Sequence, residues 1–126
     1  MMSPKKAKKI RRGQVYFAEI DGTAGAEQGG SRPVIIVQND VGNYFSPTTV
    51  VAMLSCSTQK ARLPTHVVVE IMHKKGDILP NKSLAMLEQI RTIDKERLVN
   101  LIGSVCKNTM KQVDDALMCS VGLTGS

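Results

Sequence analysis

The chain has 126 residues, enough for one domain with a single modest core. Its net charge of +6, from 17 basic and 11 acidic side chains, favours polyanionic partners such as nucleic acids. No apolar stretch approaches the ~20 residues of a membrane span. The basic start is not followed by an apolar segment long enough for a signal peptide. We therefore expect a cytoplasmic protein that does not enter a membrane. The three cysteines are widely spaced and match neither a disulfide framework nor a zinc pattern.

The basic residues are concentrated at the start of the chain. Six of the first twelve residues are Lys or Arg and none is acidic, whereas the two signs are equal in number over the remainder. We interpret residues 1–11 as a basic disordered arm, residues 12–123 as one domain and residues 124–126 as a tail. The arm is either a solvated tail or a grip on phosphates that does not choose a sequence.

Short apolar runs separated by turn residues predict strands over the first two thirds of the domain. The first strand opens over residues 15–20, and a glycine-rich loop over residues 21–31 is longer than a hairpin needs, which is typical of functional loops. Residues 34–37 are a continuous apolar run, which predicts a strand buried on both faces. Residues 39–47 predict a second loop. Three further strands are predicted over residues 48–54, 67–71 and 83–87.

The pattern then changes from strands to helices. Asp94 predicts the N-cap of a short helix over residues 95–102, which Gly103 interrupts. Thr109 and Gln112 form a capping-box pattern before a final helix. The inner faces of the two helices would carry Leu98, Leu101 and Ile102, and Met110, Val113, Leu117 and Met118. Strands followed by helices predict an α+β fold, with a strongly curved antiparallel sheet or small barrel and C-terminal helices.

Metal and nucleophile chemistry are poorly supported by the residue pattern. His66 and His73 flank a predicted strand without the close spacing of a hydrolytic zinc site, so we expect no metal and no cofactor. We interpret His66 as a loop residue paired with backbone. Ser55 and Cys56 are neighbours at a strand end and point to opposite faces, and neither belongs to a nucleophile elbow or a Cys–His signature.

A loop of acidic, amide and guanidinium groups leads directly into the buried strand, with the sequence Glu27-Gln28-Gly29-Gly30-Ser31-Arg32-Pro33. It places Arg32 at the mouth of the core, where the guanidinium can hold a phosphate through two hydrogen bonds. On these residues alone, a surface loop whose arginine pairs with a nearby acid is the favoured interpretation.

This loop belongs to a series of segments that resemble the MazF/PemK family of bacterial toxins, and most closely the MazF toxins of Gram-positive bacteria. The segments follow in order at residues 12–17, 25–34, 38–43, 45–48, 60–67 and 87–98, and the resemblance spans about residues 11–123. It implies the small SH3-like barrel of CcdB/MazF-type plasmid maintenance toxins. It also implies a homodimer that cuts single-stranded RNA, chiefly messenger RNA, at a short preferred sequence.

The resemblance implies a type II toxin–antitoxin pair in which a MazE-like antitoxin blocks the RNA groove. A heterohexamer-type complex is then expected, and DNA is contacted only through the antitoxin. The 2′-hydroxyl of RNA would be the nucleophile, which needs no metal and yields 2′,3′-cyclic phosphate and 5′-hydroxyl ends.

The family's catalytic residues are an Arg before the Pro of the second strand and a hydroxyl residue at the end of the third. These positions fall on Arg32 and Ser55, and the relatives usually carry Thr at the second. Glu27 is either a general base or a carboxylate that orients Arg32. Phe17 and Tyr44 are stacking candidates. The expected RNA-binding residues are Gln28, Asn39, Glu88 and Gln89 for base edges, and Lys60 and Arg62 for phosphates.

Two other functions fit part of the pattern. A non-catalytic toxin of the same fold, such as the CcdB gyrase poisons, would lack the Arg-centred loop, so the segment from Glu27 to Arg32 argues against it. An RNA-binding small barrel would depend on basic charge and not on Arg32. RNA cleavage in EDTA, compared with an Arg32→Ala variant, separates the three.

Overall fold

A computed structural model describes residues 9–20, 31–59, 63–73 and 75–124. The described part of the chain forms seven strands and two α-helices. In chain order these are β1 (Gln14–Glu19), β2 (Ser31–Ile36), α1 (Asp40–Phe45), β3 (Thr48–Ser55), β4 (His66–Val69), β5 (Met72–His73), β6 (Ser83–Asp94), β7 (Leu98–Ser104) and α2 (Lys107–Ser120).

The seven strands form one curled antiparallel sheet in the order β4-β6-β3-β2-β1-β7-β5. Consecutive strands β1, β2 and β3 are neighbours, while β7 pairs with the free side of β1 and β6 with the free side of β3. The predicted α+β fold with a strongly curved antiparallel sheet is confirmed.

Two clusters of buried side chains divide the core between the faces of the sheet. Ile35 and Val37 belong to one cluster, together with Val113 of α2. Val34 and Ile36 belong to the other, and Val34, Ile35 and Ile36 are each 0% exposed. The prediction that residues 34–37 are buried on both faces is therefore confirmed. The second cluster also contains Ile10, so the residues next to Gly13 take part in the core.

The predicted helix over residues 95–102 is wrong. Lys95–Arg97 form a single 3₁₀ turn, and the chain continues as strand β7. Two register shifts in the β1–β7 pairing add one residue each to β7, at Val99 and Ile102. These insertions break the two-residue alternation, so the apolar residues of a strand acquire spacings of three and four. That spacing imitates a helix.

Both true helices differ from their predicted forms. The predicted loop over residues 39–47 contains α1, which Asn39 caps by accepting a hydrogen bond from the Gly42 backbone N–H at 2.8 Å. Helix α2 starts at Lys107 with Cys106 as N-cap, so Thr109 lies inside the first turn and the predicted capping box is wrong. Met118, predicted on the inner face, is exposed. Within the described ranges, no helix is long and apolar enough to cross a membrane.

Candidate functional site

Strands β2 and β3 bring Arg32 and Ser55 to neighbouring positions. The strands pair with Val34 opposite Met53. Arg32 lies two residues before this last pair on β2 and Ser55 two residues after it on β3, and both line the same cleft. The fold therefore joins the two residues that the family resemblance selects, although 22 residues separate them in the chain.

Both residues line one cleft with a volume of about 500 Å³. Its walls are largely apolar and include Phe17, Leu54, Ile71, Leu79 and Ile102. An apolar concave site with a few convergent polar groups is the usual form of a ligand-binding cleft.

The Ser55 hydroxyl is held at the end of β3 by a local hydrogen bond. Its Oγ accepts from the Ser57 backbone N–H at 3.1 Å. Because a hydroxyl has one hydrogen and two lone pairs, this bond leaves the hydroxyl hydrogen free to be donated. Ser55 is partly exposed, so the hydrogen can be offered to a ligand in the cleft.

Arg32 is exposed, and no carboxylate in the described part of the chain forms an ion pair with it. It is fixed at the strand end by backbone pairing with Ala18 of β1. A guanidinium keeps its charge at any physiological pH and presents a planar fork of N–H donors. Together, Arg32 and Ser55 offer positive charge and hydrogen-bond donors to a tetrahedral oxyanion such as a phosphodiester.

Four predicted site residues lie outside the described ranges. They are Glu27 and Gln28, which precede β2 in the sequence, and Lys60 and Arg62, which precede β4.

Asn39 is placed away from the cleft. It follows the end of β2, whereas Arg32 lies near the start of that strand. Its side chain is engaged in capping α1. The structure gives Asn39 a structural role and does not bring it to Arg32. Tyr44, predicted as a stacking residue, lies on α1 against Phe45, whereas Phe17 lines the cleft.

Glu88 and Gln89 lie in an irregular stretch of β6. The pairing of β3 with β6 shifts by three residues between Ala52 and Met53, which leaves a bulge over residues 87–89. The Glu88 carboxylate accepts hydrogen bonds from Thr65 at 2.7 Å and from His66 at 3.0 Å. Burial raises the pKa of Glu88, but several opposing contributions, led by the hydrogen bonds from Thr65 and His66, together leave the net pKa lowered. Gln89 contacts the sulfur of Met86 at 3.7 Å.

The sequence did not point to two polar residues of the cleft, Asn81 and Ser83. Asn81 precedes β6 and Ser83 is its first residue, and both reach the cleft because Ser55 pairs with Leu84. No local pattern marks them, since their position depends on strand order. His66 was expected to be a loop residue paired with backbone, and it is instead the first residue of β4, bonded to both backbone and Glu88.

No group of three or more His, Cys, Asp or Glu side chains within the described ranges is arranged to hold a metal ion. The chemistry on offer is that of a guanidinium, a hydroxyl and a hydrogen-bonded carboxylate.

The chain is similar to known proteins by three measures: a family model, a sequence relative and solved structures. A family model described as PemK-like, MazF-like toxin of type II toxin–antitoxin system matches residues 11–121. Endoribonuclease EndoA of Bacillus subtilis (strain 168) is 47% identical over 114 residues, which cover 90% of this chain and 96% of the relative.

Solved structures agree on the fold. An endoribonuclease from a Mycobacterial species superposes with a TM-score of 0.74 at 24% identity, covering 96% of this chain and 99% of the other. An endoribonuclease in complex with its cognate antitoxin, also Mycobacterial, gives a TM-score of 0.71 at 26% identity, covering 93% and 99%.

Proposed function

The chain belongs to the PemK-like, MazF-like toxins of type II toxin–antitoxin systems, and we propose that it cuts single-stranded RNA, chiefly messenger RNA, without a metal. It acts as an endoribonuclease, the activity for which the Bacillus subtilis relative is named. The observation that carries the proposal is that Arg32 and Ser55, the two residues selected by the resemblance, line the same cleft.

The chemistry follows from the substrate. RNA carries its own nucleophile, so the 2′-oxygen attacks the adjacent phosphorus and forms the 2′,3′-cyclic phosphate. The bond from phosphorus to the 5′-oxygen breaks, and that oxygen leaves as a hydroxyl. Negative charge grows on the two non-bridging phosphoryl oxygens during attack. Arg32 stabilises this charge through its fork of donors, and the Ser55 hydroxyl donates a further hydrogen bond to the same phosphate.

Two proton transfers complete the reaction. The 2′-hydroxyl must lose its hydrogen to a base, and the leaving 5′-oxygen must gain one. We propose Glu27 as the base on the basis of its position in the sequence, in the polar segment that leads to Arg32. A carboxylate there either takes the proton or orients Arg32, and a pH–rate profile of Glu27→Gln distinguishes the two roles.

The proposed partners follow from the same membership. We propose that a MazE-like antitoxin inhibits the enzyme by occupying the RNA groove; the Mycobacterial endoribonuclease is likewise found in complex with a cognate antitoxin. The toxin acts as a homodimer in the cytoplasm, forms a heterohexamer-type complex with the antitoxin, and meets DNA only through it. Gln28, Lys60, Arg62 and Gln89 remain proposed RNA contacts.

The test is RNA cleavage in EDTA by the purified protein, by Arg32→Ala, and by Lys111→Ala. Lys111 is an exposed residue of α2, so its variant loses the same charge at a distance from the cleft. We expect the wild type and Lys111→Ala to cut equally, and Arg32→Ala to lose about 10³-fold in kcat/KM, the scale of removing an oxyanion donor.

Three results contradict the proposal. RNA binding with no cleavage by the wild type would indicate an RNA-binding module. Cleavage that stops in EDTA would require a metal. Full activity in Arg32→Ala would show that Arg32 takes no part in the reaction. Arg32→Lys should not restore activity, because an ammonium cannot form the planar pair of bonds.

A further inference from the structure

Thr65, His66 and Glu88 form a hydrogen-bonded cluster: Thr65 directly precedes β4, His66 begins β4 and Glu88 lies on β6. The Thr65 hydroxyl donates to Oε1 of Glu88 at 2.7 Å, and Nε2 of His66 lies 3.0 Å from Oε2. Each oxygen of the carboxylate is therefore held by a different donor. Two contacts of this kind fix both the position and the plane of the carboxylate.

The backbone sets the protonation of the histidine ring. The Leu63 N–H donates to Nδ1 of His66 at 3.3 Å, and the His66 backbone N–H donates to the Leu63 carbonyl at 2.9 Å. A ring nitrogen that accepts a hydrogen bond carries no hydrogen, so the hydrogen of the neutral ring is on Nε2 and is donated to Glu88. The His66 side chain is only 7% exposed, which keeps the ring in this orientation.

Glu88 keeps unused hydrogen-bonding capacity toward solvent. Its side chain is 34% exposed, although both oxygens are already bonded. A carboxylate has about four acceptor positions, so roughly two remain. A carboxylate that is ionised, held in one orientation and open on one side is a built acceptor for N–H donors.

The cluster lies beside the cleft and not in it. His66 pairs with Met86, and Met86 pairs with Met53 of β3, two residues from Ser55. Two strand spacings across and two residues along the sheet correspond to about 12 Å between the Cα atoms of His66 and Ser55. A strand of RNA whose scissile phosphate sits on Ser55 would present a flanking nucleotide at this distance.

We propose that His66 is a positioning residue that fixes Glu88 to select a base with an exocyclic amine at one position flanking the cleaved bond. This inference rests on the proposed function. An amine N–H, as in cytosine or adenine, donates to the carboxylate, whereas uracil presents a carbonyl oxygen at that place. Uracil is therefore disfavoured for two reasons: it lacks the amine that donates the hydrogen bond, and its carbonyl oxygen is repelled by the carboxylate.

The experiment measures binding separately from cleavage. The native protein is incubated in EDTA with a randomised pool of single-stranded 2′-fluoro RNA, which lacks the nucleophile and cannot be cut by this reaction. Bound and unbound fractions are sequenced, and the depletion of uracil is scored at each position. The proteins compared are the wild type, His66→Ala, His66→Gln, Glu88→Gln and, as a matched control, His73→Ala.

We expect the wild type and His73→Ala to deplete uracil about tenfold at one position, within the discrimination of a good base contact. His66→Ala and Glu88→Gln should lose that depletion and keep the preferences at all other positions. Glu88→Gln has nearly the same shape but adds N–H donors, so it can pair with the uracil carbonyl. His66→Gln should restore the depletion, because its amide can still donate to Glu88.

Two outcomes overturn the proposal. One is an unchanged uracil preference in both His66→Ala and Glu88→Gln. The other is a uniform loss of binding at every position, which indicates that the cluster only stabilises the fold. Because the pool is uncleavable, a wild type that selects against uracil but does not cut RNA refutes the proposed function alone. A wild type that cuts RNA while the variants keep its preference refutes this inference alone.

Discussion

The substitution Gly103→Ala tests how the sheet builds the cleft. A Cβ added at Gly103 would lie 2.1 Å from the Met72 carbonyl oxygen, 2.8 Å from the Met72 carbonyl carbon and 3.0 Å from Cγ2 of Ile71. The two closest atoms are backbone, so they cannot move aside as a flexible side chain would. The contact between β5 and β7 must therefore either become overpacked or open by a movement of β5 away from β7.

Both responses have a cost that the structure bounds. Overpacking in a fitted core costs about 1–3 kcal/mol. If β5 moves, Ile71 loses its burial, which at 4% exposure is nearly complete and is worth about 1.5–3 kcal/mol. The chain takes the cheaper course, so we expect the free energy of unfolding to fall by about 2–3 kcal/mol. Since Ile71 also lines the cleft, the variant should cleave RNA more slowly than its folded fraction accounts for.

Urea unfolding followed by circular dichroism measures the loss of stability, with Ser104→Ala as the control. Ser104 is the exposed neighbour on β7, and its variant should stay within about 0.5 kcal/mol of the wild type. A value for Gly103→Ala within that same range would mean that β5 does not pack against β7 as described. Normal cleavage by a destabilised variant would show that the wall formed by Ile71 is not needed for activity.

Two more predictions concern single side chains. Ser55→Ala should lower kcat/KM about 10- to 100-fold, the value of one hydrogen bond to a charged group, whereas Ser55→Thr should stay near wild type. Equal activity of the wild type and both variants in initial-rate assays would exclude the hydroxyl from the reaction. The hydrogen bond from the Arg12 backbone N–H, at 2.7 Å, is the main reason that the pKa of Asp40 is lowered from 3.8. A carboxyl with a lowered folded-state pKa stabilises the fold above its unfolded value and loses that contribution as the pH falls. The stability difference between wild type and Asp40→Asn should therefore shrink from about pH 4 downward in urea titrations, and a constant difference would contradict the assignment.

Much of the sheet could be predicted because its strands are apolar runs bounded by turn residues. The run at residues 34–37 fits a strand with both faces buried, and the β-branched segment at residues 48–54 matches β3 closely. The missed strand β5 has only two residues, too few for any periodicity. Helix α1 was missed because Gly42 and Asn43 are typical of turns. Its stability comes from tertiary contacts, including a hydrogen bond from the buried Thr49 hydroxyl to Asn43 at 2.7 Å.

The residues of the candidate site were likewise only partly predictable from the sequence. Arg32 and Ser55 were found through the resemblance, and their proximity depends on a strand register that no local pattern encodes. Asn81 and Ser83 were not found, because their place in the cleft follows from the neighbouring positions of β3 and β6. The sequence therefore indicated the chemistry, and the topology determined which side chains accompany it.

The two bulged strands connect the errors of prediction with the site. Ile102 is one of the residues inserted in β7, which made the strand resemble a helix in sequence, and it forms part of the cleft wall. Glu88 lies in the bulge of β6, which turns its carboxylate toward His66. A bulge breaks the alternation by which strands are recognised and re-aims a side chain that a regular strand would direct elsewhere. For the same reason, periodicity alone identifies the residues of the core better than those of the site.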